Sequence, residues 1–296
     1  MLVYAAALLL STATPMGSVS LDSLARAAEQ ERKETEEWLK SSPTSYLATI
    51  HREDFGDRSS LTIGRAEDAD VRLDDSTISW HHVRVTVAGD SFQVGGIDPG
   101  AVFTANKETL ATATLPPGSI TVGRYTIRLS HQRFPALIVF DPRSPRYKEY
   151  KGLKYFPYDP AYRFILPLTA NPNVDTVIIL STRGNRRKAL RTGWFEFTVA
   201  GRQCRLGVTR LLEPGSGENS YSVFFTDLTC GKESYAMGRY VEAEARPDGL
   251  FVLDFNNAYN PACAFSEHYN CPIPPSENRM NVRIRAGERD AHYLEH

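Results

Sequence analysis

Between Tyr46 and Ser130 the chain reads as short runs in which apolar and polar residues alternate: YLATIHR, SLTIGR, DVRL, HVRVTVAG, SFQVGG and SITVGRYTIRLS. Turn residues separate them at spacings of about ten residues. A period of two fits an extended strand with one buried face, because successive side chains point to opposite sides of the pleat. In HVRVTV, Val83, Val85 and Val87 share one face while Arg84 and Thr86 take the other. Short strands in series predict an antiparallel sandwich or barrel. Eight further runs, from YRFILPLT to NVRIRAG, predict a second β-rich domain.

Two domains suit 296 residues at the usual ~150 per domain. With 42% apolar and 23% charged residues the chain is an ordinary globular one. Its 34 basic and 35 acidic side chains nearly cancel, so no overall field gathers a phosphate backbone or an anionic bilayer, and nucleic acid is not an expected partner.

Residues 1–20 have the outline of a secretory signal. Nine apolar residues follow Met1, and a small-x-small cut is offered at Ser18-Val19-Ser20, although no Lys or Arg precedes the apolar run. That run is too short to span a bilayer. A periplasmic or secreted location is therefore expected, with no transmembrane segment. Residues 21–42 form a helical arm with Leu21, Leu24, Ala28, Glu31 and Thr35 at helical spacing, ended by Pro43, and Trp38 and Leu39 are expected to dock on the body. The first sandwich is assigned to 45–135 and the second domain to 141–296. Between Asp141 and Arg163, four prolines among five tyrosines predict an ordered strap without helix.

LTIGRAEDADVRLDDSTISWHHVRV contains Gly64-Arg65 and Ser79-Trp80-His81-His82. In order and approximate spacing it resembles the front half of a forkhead-associated domain, a β-sandwich that binds phosphothreonine peptides, and SITVGRYTIRL resembles that fold's closing strands. The resemblance implies that Arg65 and Ser79 contact phosphate and that His82 braces their loop. A guanidinium fork and a hydroxyl suit a phosphate chemically. The family's second recognition loop carries Asn-Gly-Thr, whereas VGGIDPGAVFTANKETL offers only Asn106.

In the C-terminal half, Pro247-Asp248-Gly249 is a hairpin turn. If Arg246 pairs with Leu250, Glu242 falls opposite Asp254, a like-charge pair that is either wet or part of a site. Arg239 continues the apolar face and needs an acid such as Glu233 or Asp227, as a structural ion pair or as a ligand anchor. DFNNAYNPACAFSEHYNCPIPPSENRM predicts a long ordered loop held by amides and prolines. With GKESYAMGRY before it, the final AGE, and the earlier YKGLKYFPYDPAYR, it resembles a bacterial and archaeal family of unknown function over about residues 144–288. Cys263 and Cys271 enclose seven residues and can be a disulfide, free buried thiols or metal ligands, although Cys-x7-Cys is not a recurrent zinc spacing and no metal is expected. RGNRRKALR reads as a solvated basic loop.

No phosphate-cradling glycine loop, metalloprotease helix or nucleophile elbow is present, and no cofactor is implied. The expected function is that of an exported binding or scaffold protein, with a small polar ligand or a protein as partner and with Arg239, Asp254, Asn256 and Asn260 as ligand-binding candidates. A first alternative is a glycan hydrolase using Glu242, Asp254 or Glu233. A second is a phosphopeptide-binding module using Arg65, Ser79 and His82.

Overall fold

The computed structural model describes residues 20–290 apart from 174, 215, 216, 218 and 219. All but Ser20 of the expected signal segment lies outside the described residues. The chain is mainly β, in two β domains that are antiparallel apart from the short parallel pair of Ile63–Gly64 with Val71–Arg72, preceded by one long helix. That helix, α1 (Leu21–Ser41), is capped by Ser20, whose hydroxyl accepts from Ser23 N–H, and it stops just before Pro43. It buries only Ala28 and Leu39, and Trp38 meets Tyr46 edge-on at 5.0 Å.

The first domain consists of β1 (Thr49–Asp54), β2 (Ser60–Gly64), β3 (Val71–Arg72), β4 (Val83–Ala88), β5 (Ser91–Gly96), β6 (Phe103–Ala105), β7 (Glu108–Leu110), β8 (Thr112–Leu115), β9 (Gly118–Val122), β10 (Tyr125–His131) and β11 (Pro135–Phe140). They form a six-stranded sheet ordered β1-β11-β10-β9-β6-β7 and a five-stranded sheet ordered β3-β2-β4-β5-β8. The alternating Val83, Val85, Ile120, Val122, Ile127, Leu129, Leu137 and Val139 fill the space between the sheets. The sandwich continues to Phe140, beyond the expected boundary at 135. The cause is visible in β11, whose residues 136–140 are all buried: its inner face lies in the sandwich and its outer face under the second domain, so the strand shows no alternation.

The second domain contains β12 (Arg163–Leu166), β13 (Thr169–Ala170), β14 (Thr176–Leu180), β15 (Arg186–Val199), β16 (Arg202–Leu211), β17 (Ser222–Phe225), β18 (Arg239–Glu242), β19 (Glu244–Ala245) and β20 (Phe251–Asp254). One sheet runs β13-β15-β16-β17-β18 with β14 also on β15, and a smaller one runs β12-β20-β19. Phenylalanines 195, 197, 225, 251 and 255 dominate the core.

Three expectations are corrected. The strap does contain one helical turn, α2 (Arg146–Glu149), because Pro145 sits at its start, where a missing N–H costs nothing. RGNRRKALR is no solvated loop: Arg187 is buried against Glu213, and Arg191 pairs with Glu277. NVRIRAG is extended but forms no strand. Its carbonyls at Ile284 and Ala286 accept from the Arg239 guanidinium, and its Ile284 N–H goes to Asp227. Side chains thus take the hydrogen bonds that a neighbouring strand would have supplied.

The domains share a core in which Ile138 and Phe140 of the first meet Phe265, Tyr269 and Cys271 of the second. Thr49 and Tyr269 hydroxyls lie 2.7 Å apart, and Arg183 pairs with Asp54 across the junction.

Candidate functional site

Gly64 ends β2, and it and the following Arg65 run beside Ser79 and Trp80. Arg65 N–H donates to Ser79 O at 3.1 Å and Ala66 N–H to Trp80 O at 3.0 Å. A Cβ at Gly64 would stand 2.0 Å from Trp80 O, so only glycine permits this approach. His82 is buried; its Nδ1 accepts from Ser79 N–H, which leaves Nε2 to donate to Val102 O at 2.8 Å. The ring thereby ties the Ser79 turn to the loop that precedes β6. Ser79 and Arg65 are half-buried at this rim. The Arg65 guanidinium stacks on the exposed Trp80 ring, 4.3 Å from its centroid, and among the described residues no carboxylate pairs with it. Asn106 adopts φ 50° in the β6–β7 turn and is exposed, so it shapes a hairpin.

Arg239 lies elsewhere, wholly buried in the second domain. It faces Asp227 at 3.4 Å and donates to the carbonyls of Ile284, Ala286 and Glu288. Burial pulls its pKa down while Asp227 opposes that pull. Of the two acids considered for it, Asp227 is the partner; Glu233 pairs with Arg285 near the surface.

The hairpin turn is as expected, with Arg246 N–H bonded to Leu250 O, but the facing register lasts only through Glu244↔Val252. At Ala243 the chain crosses to the other sheet, where β18 pairs with β17. Glu242 therefore does not face Asp254 across a ladder. Glu242 accepts from Ser222 Oγ and Tyr259 Oη, while Asp254 accepts from Asn256 and pairs with Arg163 at 3.4 Å. Both carboxylates border a cavity of about 130 Å³ under α1, with Glu31 and Glu244. Burial, then Glu244 and Asp254, raises the Glu31 pKa. Glu242 and Asp254 are each already engaged by neighbouring side chains at the edge of this small space.

Asn256 and Asn260 are buried and internally partnered. Asn256 exchanges two hydrogen bonds with the Asp159 backbone. Asn260 donates through its backbone N–H and Nδ2 to Glu288, a carboxyl whose burial pushes its pKa up to about 8 against those donors. The final AGE string was the only sign of Glu288 in the sequence. Beside these asparagines, a cavity of about 420 Å³ separates the segment from α1, walled by Trp38, Tyr155, Tyr259 and Phe265. Arg239 does not reach it.

Cys263 and Cys271 are buried free thiols in contact, with Cys263 N–H donating to Cys271 Sγ at 3.3 Å. Their mutual hydrogen bond lowers the Cys263 pKa and, with burial, raises that of Cys271. Among the described residues no three His, Cys, Asp or Glu side chains form a metal-binding group, and no helix is long and apolar enough to cross a membrane.

Residues 61–118 match the model of the FHA domain, and residues 148–289 match that of a protein of unknown function, DUF1684. An uncharacterized protein of Haloarcula marismortui solved by NMR is similar at 32% identity, over 53% of this chain and 85% of its own, with a TM-score of 0.42. An FHA domain studied for phosphothreonine-dependent interactions is 24% identical over 28% of this chain and 76% of its own, TM-score 0.22. The Slr1951 protein of Synechocystis is 19% identical over 29% and 81%, TM-score 0.21. No curated protein matches the chain. The chain therefore belongs to the DUF1684 family through its C-terminal half and carries an FHA domain ahead of it.

Proposed function

We propose that this protein is a binding protein that takes a phosphorylated peptide at the rim formed by Arg65 and Ser79. The observation that carries the reading is that the backbones of Arg65 and Ser79 are zipped together at one edge of the FHA sandwich by hydrogen bonds and braced by His82, so that both residues belong to one rim. A carboxylate-free guanidinium, preorganised on the Trp80 ring, retains its donors for an anion. Pro99-Gly100-Ala101 lies in the second loop, so the proposal covers the phosphate and not a preference for threonine over serine. The DUF1684 region serves in this reading as a body fixed against the sandwich, leaving the rim free.

Trp80 is 57% exposed and touches Arg65, so its fluorescence is the natural reporter. Titrating phosphothreonine and phosphoserine peptide pools into the purified chain should change that emission saturably, while unphosphorylated pools should not. Arg65→Ala should weaken binding about tenfold or more, the size of a lost charge-assisted hydrogen bond. Equal binding of phosphorylated and unphosphorylated pools, or an unchanged affinity in Arg65→Ala, would remove the proposal.

A further inference from the structure

Apart from that rim, whose residues do not line it, the two domains form between them a half-open cleft of about 280 Å³. Its floor is the outer face of the six-stranded sheet. Arg52 of β1 and Arg128 of β10 both register against Ile138 of β11, so the two arginines project from one face, about 10 Å apart at two strand spacings. Ser130, two residues beyond Arg128, shares that face. The roof comes from the second domain and includes Arg187, Tyr269 and Asn270. A sheet face bearing arginines would ordinarily meet water; here it is covered.

The charges and hydrogen bonds in this cleft do not balance. Arg187 is answered by Glu213 through both Nε and Nη2, and Arg52 by Asp54. Arg128 lies over the Phe140 ring at 5.0 Å, and among the described residues no carboxylate pairs with it. Asn270 is only 4% exposed, yet neither its Oδ1 nor its Nδ2 has a partner, and neither Asp54 nor Glu213 lines the space. Three guanidiniums against two carboxylates leave a surplus positive charge beside an unused amide donor. Arg128 is half-buried, and an anion in this space would answer the charge that neither carboxylate reaches.

We propose that this interdomain cleft binds a small oxyanion, a phosphate or carboxylate group, held by the Arg128 guanidinium and by the Asn270 amide, which is sealed in the wall and turns toward the anion on binding. The volume admits inorganic phosphate or a short dicarboxylate. Because Arg128 belongs to the FHA sandwich and Asn270 to the DUF1684 region, a bound anion also strengthens the junction between them.

The test is thermal melting of the full chain titrated with inorganic phosphate, sulfate or succinate, against sodium chloride at matched ionic strength. A saturable rise in Tm with at least one oxyanion is expected; phosphate and sulfate without succinate would identify a tetrahedral ligand, and succinate alone a carboxylate. Arg128→Gln should weaken the apparent affinity at least tenfold while its unliganded melt is no lower than the parent's, since it removes an uncompensated charge. Arg65→Ala should leave the shift intact, which separates this site from the rim. No saturable shift with any oxyanion, a shift that survives Arg128→Gln, or a shift lost in Arg65→Ala overturns the proposal. An unliganded Arg128→Gln that melts well below the parent would also overturn it, by showing a structural cation.

Discussion

At the scale of single residues, the C-terminal domain is held by buried polar groups that answer one another. Arg239 draws Asp227 and three backbone carbonyls into one cluster. Removing either charge would strand the other in the core, which is why a guanidinium survives there. Glu288 is the complementary case. Its folded pKa is raised to about 8 from 4.5, so between those values the folded protein keeps a proton that the unfolded chain has released. Its contribution is full below pH 4.5 and is lost as pH rises through about 8. Thermal melts from acid to mildly alkaline pH should therefore show stability falling, and Glu288→Gln, which cannot ionise, should flatten that slope. The difference should reach on the order of a few kcal/mol at the alkaline end. Parallel slopes in the two proteins would contradict this account.

At the scale of elements, the long asparagine-and-proline segment supplies hydrogen bonds where strands separate. Strands β16 and β17 pair at a single position, Thr209↔Ser222. Beyond it the gap is bridged by Asn278, whose Oδ1 accepts from Gly207 N–H and whose Nδ2 donates to Gly207 O and Phe224 O. A Cβ at Gly207 would come within 3.3 Å of Asn278 Oδ1, so the glycine makes room for the amide. Asn278→Ala would leave three buried backbone groups unpaired and should cost about 2–4 kcal/mol in chemical denaturation. A loss under about 0.5 kcal/mol would show that the strands close without it.

At the scale of the whole molecule, the outer face of β11 and its neighbours joins the two domains. Ile138 and Phe140 lie in one apolar cluster with Phe224, Phe265 and Tyr269. The full chain should accordingly melt in one transition by circular dichroism. A fragment of residues 45–142 expressed alone should expose Ile138 and Phe140, bind an apolar dye and melt lower than the full chain. Two separate transitions in the parent, with a dye-negative fragment, would show that the domains are independent.

Period-two alternation, Gly-Arg with Ser-x-x-His and the Pro-Asp-Gly turn were legible in the chain alone, because each is a local rule: pleat geometry, one close backbone approach, one left-handed residue. The sequence thus determined a mainly β chain and the sandwich type of its first domain, and it singled out Arg65, Ser79 and His82 as candidates. It also proposed Asp227 for Arg239. Tertiary structure alone decided that β18 leaves its hairpin partner at Ala243, that Asn256 and Asn260 face inward, that Glu288 is buried, and that Arg128 shares a cleft with Asn270. Those pairings join positions up to about a hundred and forty residues apart. What a buried polar side chain meets depends on which surfaces fold against it, and no local pattern encodes that.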